Sequence, residues 1–174
     1  VDQRWSFVTV YSIASSPAVV YGMIYVGSSW GNNNLYAVDT ATGQQRWVFT
    51  TENWVSSSPA VVDGVVFVGS LDGNLYAVDA ATGQQRWAFA TGDSVLSSPA
   101  VVDRAVYVGS YDGNLYAVDA ATGQQRWASA TGDSISSSPA AVDGIVYAAS
   151  CCGQEALSTI ETANAKQRGG RRKQ

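Results

Sequence analysis

The residues of this 174-residue chain that could carry out bond-making chemistry are few. The sequence contains no histidine, which removes the most common general base, the Ser-His and Cys-His nucleophile pairs and the most common metal ligand. Its two cysteines, Cys151 and Cys152, are adjacent, so the Cys-x-x-Cys spacing of zinc and thioredoxin-like sites is absent. We therefore expect no catalytic residue and no metal site, and we expect both thiols to be free.

Aromatic residues beside amides form a second group, whose chemistry is binding. Such residues provide contact area and hydrogen bonds at a modest cost in conformational entropy. The candidate ligand-binding residues are Tyr11, Trp30, Asn32, Asn33, Glu52, Asn53, Trp54 and Tyr111. Neutral variation in loops explains most of this pattern as well as a binding role does. For Trp30 and Trp54 the binding role is favoured, because exposed tryptophan is uncommon.

A repeat of about 40 residues positions these side chains. The segment 73–87 recurs unchanged at 113–127, and an altered copy ends at Trp47. Pro59, Pro99 and Pro139 are 40 residues apart, whereas Pro17 precedes Pro59 by 42, with the two extra residues inside 28–34. A period of this length built from short apolar runs is typical of propeller blades.

Each repeat predicts four strands. In the second repeat we place them at 57–62, 65–70, 74–79 and 85–90, because β-branched and aromatic residues fill these runs and Asp-Gly or Thr-Gly turns separate them. No segment has sustained helical spacing. The sequence therefore predicts an all-β propeller of four-stranded antiparallel blades. In this topology the turn between the second and third strands and the loop after the fourth strand share one face, the loop face, which holds the candidate binding residues.

About four blades are predicted per chain. They comprise residues 16–50, 57–90 and 97–130, a partial blade at 137–152, an outer strand at 1–10, and a degenerate repeat with a basic tail at 153–174. Three arrangements remain open at this point: a closed four-bladed ring, half of an eight-bladed ring completed by a homodimer, or a fragment of a longer propeller.

The motif Ala-x-Asp-x-x-Thr-Gly-x-x-x-Trp, at 37–47, 77–87 and 117–127, resembles the pyrroloquinoline quinone (PQQ) enzyme repeat of quinoprotein dehydrogenase propellers. The resemblance implies tryptophan-docking motifs, in which the Trp of one blade wedges against a Gly of the next. The docking residues that it implies are Ala37, Gly43, Trp47, Ala77, Gly83, Trp87, Ala117, Gly123, Trp127 and Trp5.

The resemblance identifies the scaffold and leaves the chemistry open, because similar repeats also build non-enzymatic propellers. We expect a non-catalytic binding or assembly scaffold that contacts a protein, peptide or glycan through its loop face. One alternative is a relative or fragment of a PQQ- and calcium-dependent dehydrogenase, since the cysteine pair resembles in kind the disulfide of those enzymes. Another is a structural module of a larger surface or sensor protein. Outside the dehydrogenase alternative we expect no cofactor.

The charge distribution restricts the classes of partner that we expect. Five basic residues lie in the last nine positions, so residues 1–165 carry five basic against fourteen acidic residues, a net charge of −9. An acidic body does not suit a phosphate backbone, and we expect no nucleic-acid partner. No apolar run has the length of a membrane span. The family resemblance implies an extracytoplasmic location.

Overall fold

The computed structural model describes residues 2–9, 11–151 and 157–162, and this part of the chain contains fifteen strands and no helix. The first sheet is β1 (Ala18–Val20), β2 (Met23–Gly27), β3 (Asn34–Asp39) and β4 (Gln45–Thr50). The second is β5 (Ala60–Val62), β6 (Val65–Gly69), β7 (Asn74–Asp79) and β8 (Gln85–Ala90). The third is β9 (Ala100–Val102), β10 (Ala105–Gly109), β11 (Asn114–Asp119) and β12 (Gln125–Ala130). The fourth is β13 (Ala140–Val142), β14 (Ile145–Ala149) and β15 (Leu157–Glu161).

Each sheet is an antiparallel meander whose strands lie in chain order. The first two strands are joined by a two-residue hairpin turn with positive φ at both positions, as at Asp63 (φ 50°) and Gly64 (φ 73°). Such turns match the right-handed twist of the strands that they join. The predicted fold class, an all-β protein of four-stranded antiparallel blades, is confirmed.

The core lies between successive sheets, which pack face to face. Between the first and second sheets, Leu35 and Ala37 pack against Val66 and Val68, and Trp47 belongs to the same cluster. Equivalent clusters join the second sheet to the third and the third to the fourth. Because the repeats are nearly identical, each junction is built from the same residue types.

Serine hydroxyls replace ladder hydrogen bonds at the innermost strands. The Ser57 hydroxyl accepts from the Gly69 N–H at 3.1 Å, and the Ser58 N–H donates to the Ser98 hydroxyl of the next sheet at 2.9 Å. The Ser16 N–H donates to Ser58 in the same way, at 2.9 Å. These side-chain bonds end the regular ladder, so the innermost strand begins at Ala60 and not at the predicted residue 57.

Residues 2–9, the described part of the predicted outer strand at 1–10, form no strand within the single chain, and their role as the outer strand of the last blade stays a prediction. Trp5 and Phe7 instead pack on the face of the first sheet, against Val26, Tyr36 and Val38. A strand needs the edge of a sheet for its ladder hydrogen bonds, and a segment held across a face has none. In the described residues the fourth sheet consequently has three strands. Its third strand, β15, lies in the predicted degenerate region, and the remaining residues of that region are outside the described part.

The Thr-Gly turns, on the face opposite the loop face, are organised by one aspartate per repeat. In the second repeat an Asp79 carboxylate oxygen accepts from the Ala81 and Thr82 N–H groups and the Thr82 hydroxyl, while the other is 2.7 Å from Arg86. The Arg86 guanidinium, followed by the Thr82 N–H, lowers the pKa of Asp79 to about 2. Asp39 and Asp119 repeat the arrangement with Arg46 and Arg126.

This arrangement predicts acid-dependent stability. A carboxylate whose pKa is about 2 in the folded state and about 3.9 in the unfolded chain stabilises the fold above about pH 4 and loses that contribution as the pH falls toward 2. We expect the thermal midpoint Tm of Asp79→Asn to fall less steeply across this window than that of the unsubstituted protein. Asparagine keeps the acceptor oxygen of the turn but carries no charge.

Asp63→Asn is the matched control for this experiment, because it removes the same charge from an exposed hairpin turn. Its Tm should follow the pH dependence of the unsubstituted chain. If Asp79→Asn also follows that dependence, the Asp-Arg pairs do not determine the acid sensitivity.

Candidate functional site

The loop face is assembled by backbone hydrogen bonds between each second-to-third-strand turn and the loop that precedes its sheet. The Leu71 N–H donates to the Trp54 carbonyl at 2.9 Å, and the Tyr111 N–H donates to the Ser94 carbonyl at 3.0 Å. In the first repeat the Ser29 N–H donates to the Ser12 carbonyl at 2.9 Å. The loops are therefore held in defined positions, which fixes the side chains that they carry.

Three of the predicted binding residues lie together at the first repeat, and we call them the aromatic cluster: Tyr11, Trp30 and Trp54. The rings of Trp30 and Trp54 are stacked, with centroids 4.8 Å apart and planes 28° from parallel. Tyr11 lies over Gly31, so close that a Cβ at this glycine would be 2.8 Å from the Tyr11 ring. Tyr11 is 47% exposed and Trp30 is 65% exposed. Such a large exposed aromatic surface is characteristic of a site of association.

The two-residue insertion of the first repeat creates the cluster. It places Trp30 (φ 58°) and Gly31 (φ 95°) in the left-handed region, which a bulky residue such as Trp rarely occupies. The Ser28 hydroxyl donates to the Asn32 carbonyl at 2.9 Å and stabilises the longer turn from within. Backbone strain of this kind at an exposed loop is typical of functional positions.

The amide and acidic candidates hold these loops in place. Asn32 donates to the Tyr36 hydroxyl, and the Asn33 carbonyl accepts from the Thr51 N–H at 2.8 Å. The Asn53 side chain accepts from the Trp54 N–H at 2.8 Å. The Glu52 backbone N–H donates to Asp72 at 3.0 Å. These bonds hold the loops that carry the aromatic cluster, through the side chains of Asn32 and Asn53 and through the backbone of Asn33 and Glu52.

Tyr111 belongs to a different part of the loop face. It lies in the β10–β11 turn of the third sheet, is 41% exposed, and has no ring contact with the aromatic cluster among the described residues. A shallow cavity of about 350 Å³ adjoins it, lined by Tyr111, Asp112, Gly113, Ala130, Gly132, Asp133 and Ser134. The structure thus separates Tyr111 from the aromatic cluster.

The aspartates of the Asp-Gly turns on this face have internal partners. Asp112 accepts from the Tyr116 hydroxyl at 2.6 Å and from the Gly92 N–H at 2.7 Å, and Asp72 accepts from Tyr76 at 2.9 Å. Burial and, next, the hydrogen bond to Asp112 raise the pKa of Tyr116 to about 12. Across residues 2–9, 11–151 and 157–162, no group of three or more acidic or cysteine side chains is arranged to hold a metal ion.

The cysteine pair is described in part. Cys151 is a free, exposed thiol whose sulfur is 3.3 Å from the Ser136 hydroxyl. Cys152 lies outside the described residues.

The residues implied by the docking motif meet at the Thr-Gly face. Trp47 Nε1 donates to the Ala80 carbonyl at 3.0 Å, and a Cβ at Gly83 would be 2.7 Å from the Trp47 ring. The motif alanines lie opposite the motif tryptophans in the ladder, as Ala37 does to Trp47. The same contacts join Trp5 to Gly43 and Trp87 to Gly123, and the pairs Ala77–Trp87 and Ala117–Trp127 repeat the ladder position. For Trp127 the position of the next repeat that corresponds to Gly83 is residue 165, which is not among the described residues.

Two residues of the loop face were not predicted. Ile13, 44% exposed, precedes the first sheet beside Tyr11, and Tyr36 receives hydrogen bonds from Asn32 and Asn34 beneath the turn. Aligning the repeats could have revealed Ile13, which occupies the position of the fully buried Val55. No comparable signal identifies Tyr36, because the second and third repeats also have tyrosine there.

Comparison with known proteins gives a family and a set of solved structures. Residues 2–172 match the PQQ_2 family, described as outer membrane protein assembly factor BamB. The crystal structure of BamB from Moraxella catarrhalis superimposes with a TM-score of 0.80 at 25% identity, covering 94% of this chain and 50% of that one. The chain thus spans about half the length of that relative. No curated protein matches the sequence.

Two further structures share the fold. The computationally designed Ika4 protein superimposes with a TM-score of 0.82 at 18% identity, covering 93% of this chain and 99% of that one. Quinohemoprotein alcohol dehydrogenase from Comamonas testosteroni gives a TM-score of 0.69 at 23% identity, covering 79% and 29% respectively. At 18% and 23% identity, these two comparisons show a shared fold and give no information about function.

Proposed function

Because this chain belongs to the PQQ_2 family, described as outer membrane protein assembly factor BamB, we propose that it is a non-catalytic scaffold for a protein partner in outer membrane protein assembly. The contact surface in this proposal is the aromatic cluster of Tyr11, Trp30 and Trp54. An assembly role at the outer membrane entails an extracytoplasmic location, which we include in the proposal. In the described residues there is no helix that could cross a bilayer.

The stack of the exposed Trp30 on the half-buried Trp54 is the observation that carries the proposal. Its rings are already fixed against each other and by the loop hydrogen bonds, so little conformational entropy remains to be lost on binding. Tryptophan and tyrosine are the residue types that contribute most to binding energy at protein interfaces. Strands of outer-membrane barrels carry aromatic residues near both membrane interfaces, and the Trp30–Trp54 stack could contact these residues.

The test uses a defined probe, a fluorescein-labelled ten-residue peptide with the alternating apolar pattern and terminal tyrosines of an outer-membrane barrel strand. We expect the double substitution Trp30→Ala/Trp54→Ala to weaken binding about 10- to 100-fold in fluorescence anisotropy, since two central aromatic contacts are removed. The free energy of unfolding should change by about 1–2 kcal/mol at most, because Trp30 is exposed and Trp54 is only half-buried.

Tyr21→Ala is the matched control, since it removes an aromatic ring that is 96% exposed in the β1–β2 turn on the opposite face. Its affinity for the peptide should equal that of the unsubstituted protein. Equal affinities for all three proteins would refute the aromatic cluster as the contact surface. Binding of an oligosaccharide panel in place of the peptide would replace the assembly role with glycan recognition.

A further inference from the structure

The two ends of the row of sheets expose apolar residues that are buried at every internal junction. Leu157 of the fourth sheet is 64% exposed, whereas its equivalents Leu35, Leu75 and Leu115 are fully buried. At the other end, Ile13 is 44% exposed, whereas Val55 at the same repeat position is fully buried. Both ends thus present the surfaces that elsewhere form a sheet-to-sheet contact.

The same two ends are complementary in their strands. Among the described residues the fourth sheet has no fourth strand, and residues 3–8 have the sequence of one, since Gln3 to Val8 align with Gln85 to Ala90 of β8. Trp5 is already held on the first sheet, with its Nε1 donating to the Thr40 carbonyl at 2.9 Å and its ring against Gly43. Residues 2–9 therefore occupy the place of the outer strand of a preceding blade.

The ends are complementary in charge as well. In each complete sheet an arginine of the fourth strand pairs with an aspartate that ends the third strand, as Arg86 does with Asp79 at 2.7 Å. Arg4 aligns with Arg86 in the sequence. Glu161 occupies the position of Asp79, because Glu161 pairs with Ile145 in the fourth sheet as Asp79 pairs with Val65 in the second. Within the described part of the chain, neither Arg4 nor Glu161 has a salt-bridge partner.

We propose that a second copy of this chain closes the ring, with residues 2–9 of each copy completing the fourth sheet of the other. The register of the complete sheets then places Phe7 opposite Leu157, Trp5 opposite Thr159 and Arg4 beside Glu161. The Leu157 side chain becomes covered by the first sheet of the partner, as Leu35 is covered by the second sheet. Two such contacts, related by a two-fold axis, unite eight sheets.

The packing of the inner strands favours a second copy over closure within one chain. β1 packs on β5, β5 on β9 and β9 on β13, whereas β1 and β13 do not pack to this extent. Pro17 of the first sheet is exposed, whereas Pro59, Pro99 and Pro139 are buried. One chain therefore forms an open arc.

A charge-reversal experiment on the full chain tests this arrangement by light scattering after size exclusion. We expect the unsubstituted protein to have twice the 18.3 kDa monomer mass. Arg4→Glu and Glu161→Arg should each weaken dimerisation about 10- to 100-fold, because both contacts then join like charges. An equimolar mixture of the two variants should recover the dimer, since each contact in the mixed dimer again joins opposite charges.

The mixture separates closure between chains from closure within a chain, because only contacts between chains are repaired by mixing. Arg104→Glu is the matched control, an exposed arginine on the β9–β10 turn, and should remain dimeric. A monomeric unsubstituted protein overturns the proposal. Arg168 is the competing partner for Glu161 within one chain, because it follows Glu161 at the seven-residue spacing of the observed Asp-Arg pairs. A dimer that is unaffected by Arg4→Glu but lost with Arg168→Glu therefore also overturns the proposal.

Discussion

Replacing Trp47 by alanine is expected to lower the free energy of unfolding by about 3–5 kcal/mol. The Trp47 side chain joins the first sheet to the second, is 9% exposed, and packs against Tyr25 with ring centroids 5.7 Å apart. Its Nε1 donates to the Ala80 carbonyl of the second sheet at 3.0 Å. Removing the ring leaves a cavity between two sheets that are fixed by their other contacts, and it removes one of the two donors of this carbonyl, which keeps the Tyr25 hydroxyl at 3.1 Å.

Urea denaturation followed by far-UV circular dichroism measures this loss of stability. Two further variants show how much of the loss comes from the N–H group and whether an exposed aromatic residue gives any loss. Trp47→Phe keeps a ring between the sheets but removes the N–H, so it should lose about 1–2 kcal/mol. Tyr21→Ala, at an almost fully exposed position, should stay within about 0.5 kcal/mol of the unsubstituted protein. A loss below about 1 kcal/mol for Trp47→Ala would show that the tryptophans do not hold the sheets together.

The second large effect is expected at Gly69, where β6 ends against the loop that follows the second sheet. A Cβ at this glycine would lie 2.6 Å from the Val95 carbonyl oxygen and would collide with the Val95 side chain. Val95 is fully buried, and its N–H donates to the Ser70 carbonyl at 2.9 Å, so the loop cannot move away without losing that bond. Gly69→Ala should therefore cost about 1–3 kcal/mol through overpacking, and Gly69→Val more.

Gly64→Ala provides the contrast in the same sheet. This turn glycine has a φ of +73°, but a Cβ there would meet nothing within 4 Å. Its expected loss of about 1 kcal/mol comes from the left-handed backbone alone. Equal and small losses for Gly69→Ala, Gly69→Val and Gly64→Ala in urea denaturation would show that the contact with Val95 is not tight.

Most strands could be predicted from the sequence because their limits are set locally. Asp-Gly and Thr-Gly turns determine where β6, β7 and β8 begin and end, and the observed bounds agree with the predicted strands to within one residue. The innermost strand is shorter than predicted, since Ser57 and Ser58 use their hydroxyls and backbone in bonds to Gly69 and to the next sheet. Such bonds depend on residues that are distant in the chain.

The candidate site was predictable only in outline. Alignment of the repeats identifies Trp30 and Trp54 as departures on one face, but their stacking depends on the φ values of an inserted turn, which its sequence does not dictate. In residues 2–9 the sequence pattern predicts more regular structure than the chain forms. These residues have the sequence of an outer strand, yet they lie on the face of the first sheet. A strand is a property of a pair of segments, and one segment alone cannot specify it.

The near identity of the sheet-to-sheet junctions has a consequence for how this protein can evolve. Because each sheet contacts its neighbours through the same residues, removing or adding one unit of 40 residues recreates a junction that is already present elsewhere in the chain. Unequal recombination between the identical segments 73–87 and 113–127 would change the number of sheets without creating a new interface. The number of sheets can therefore change without a new type of junction, whereas loss of the inserted turn would remove the Trp30 ring that stacks on Trp54.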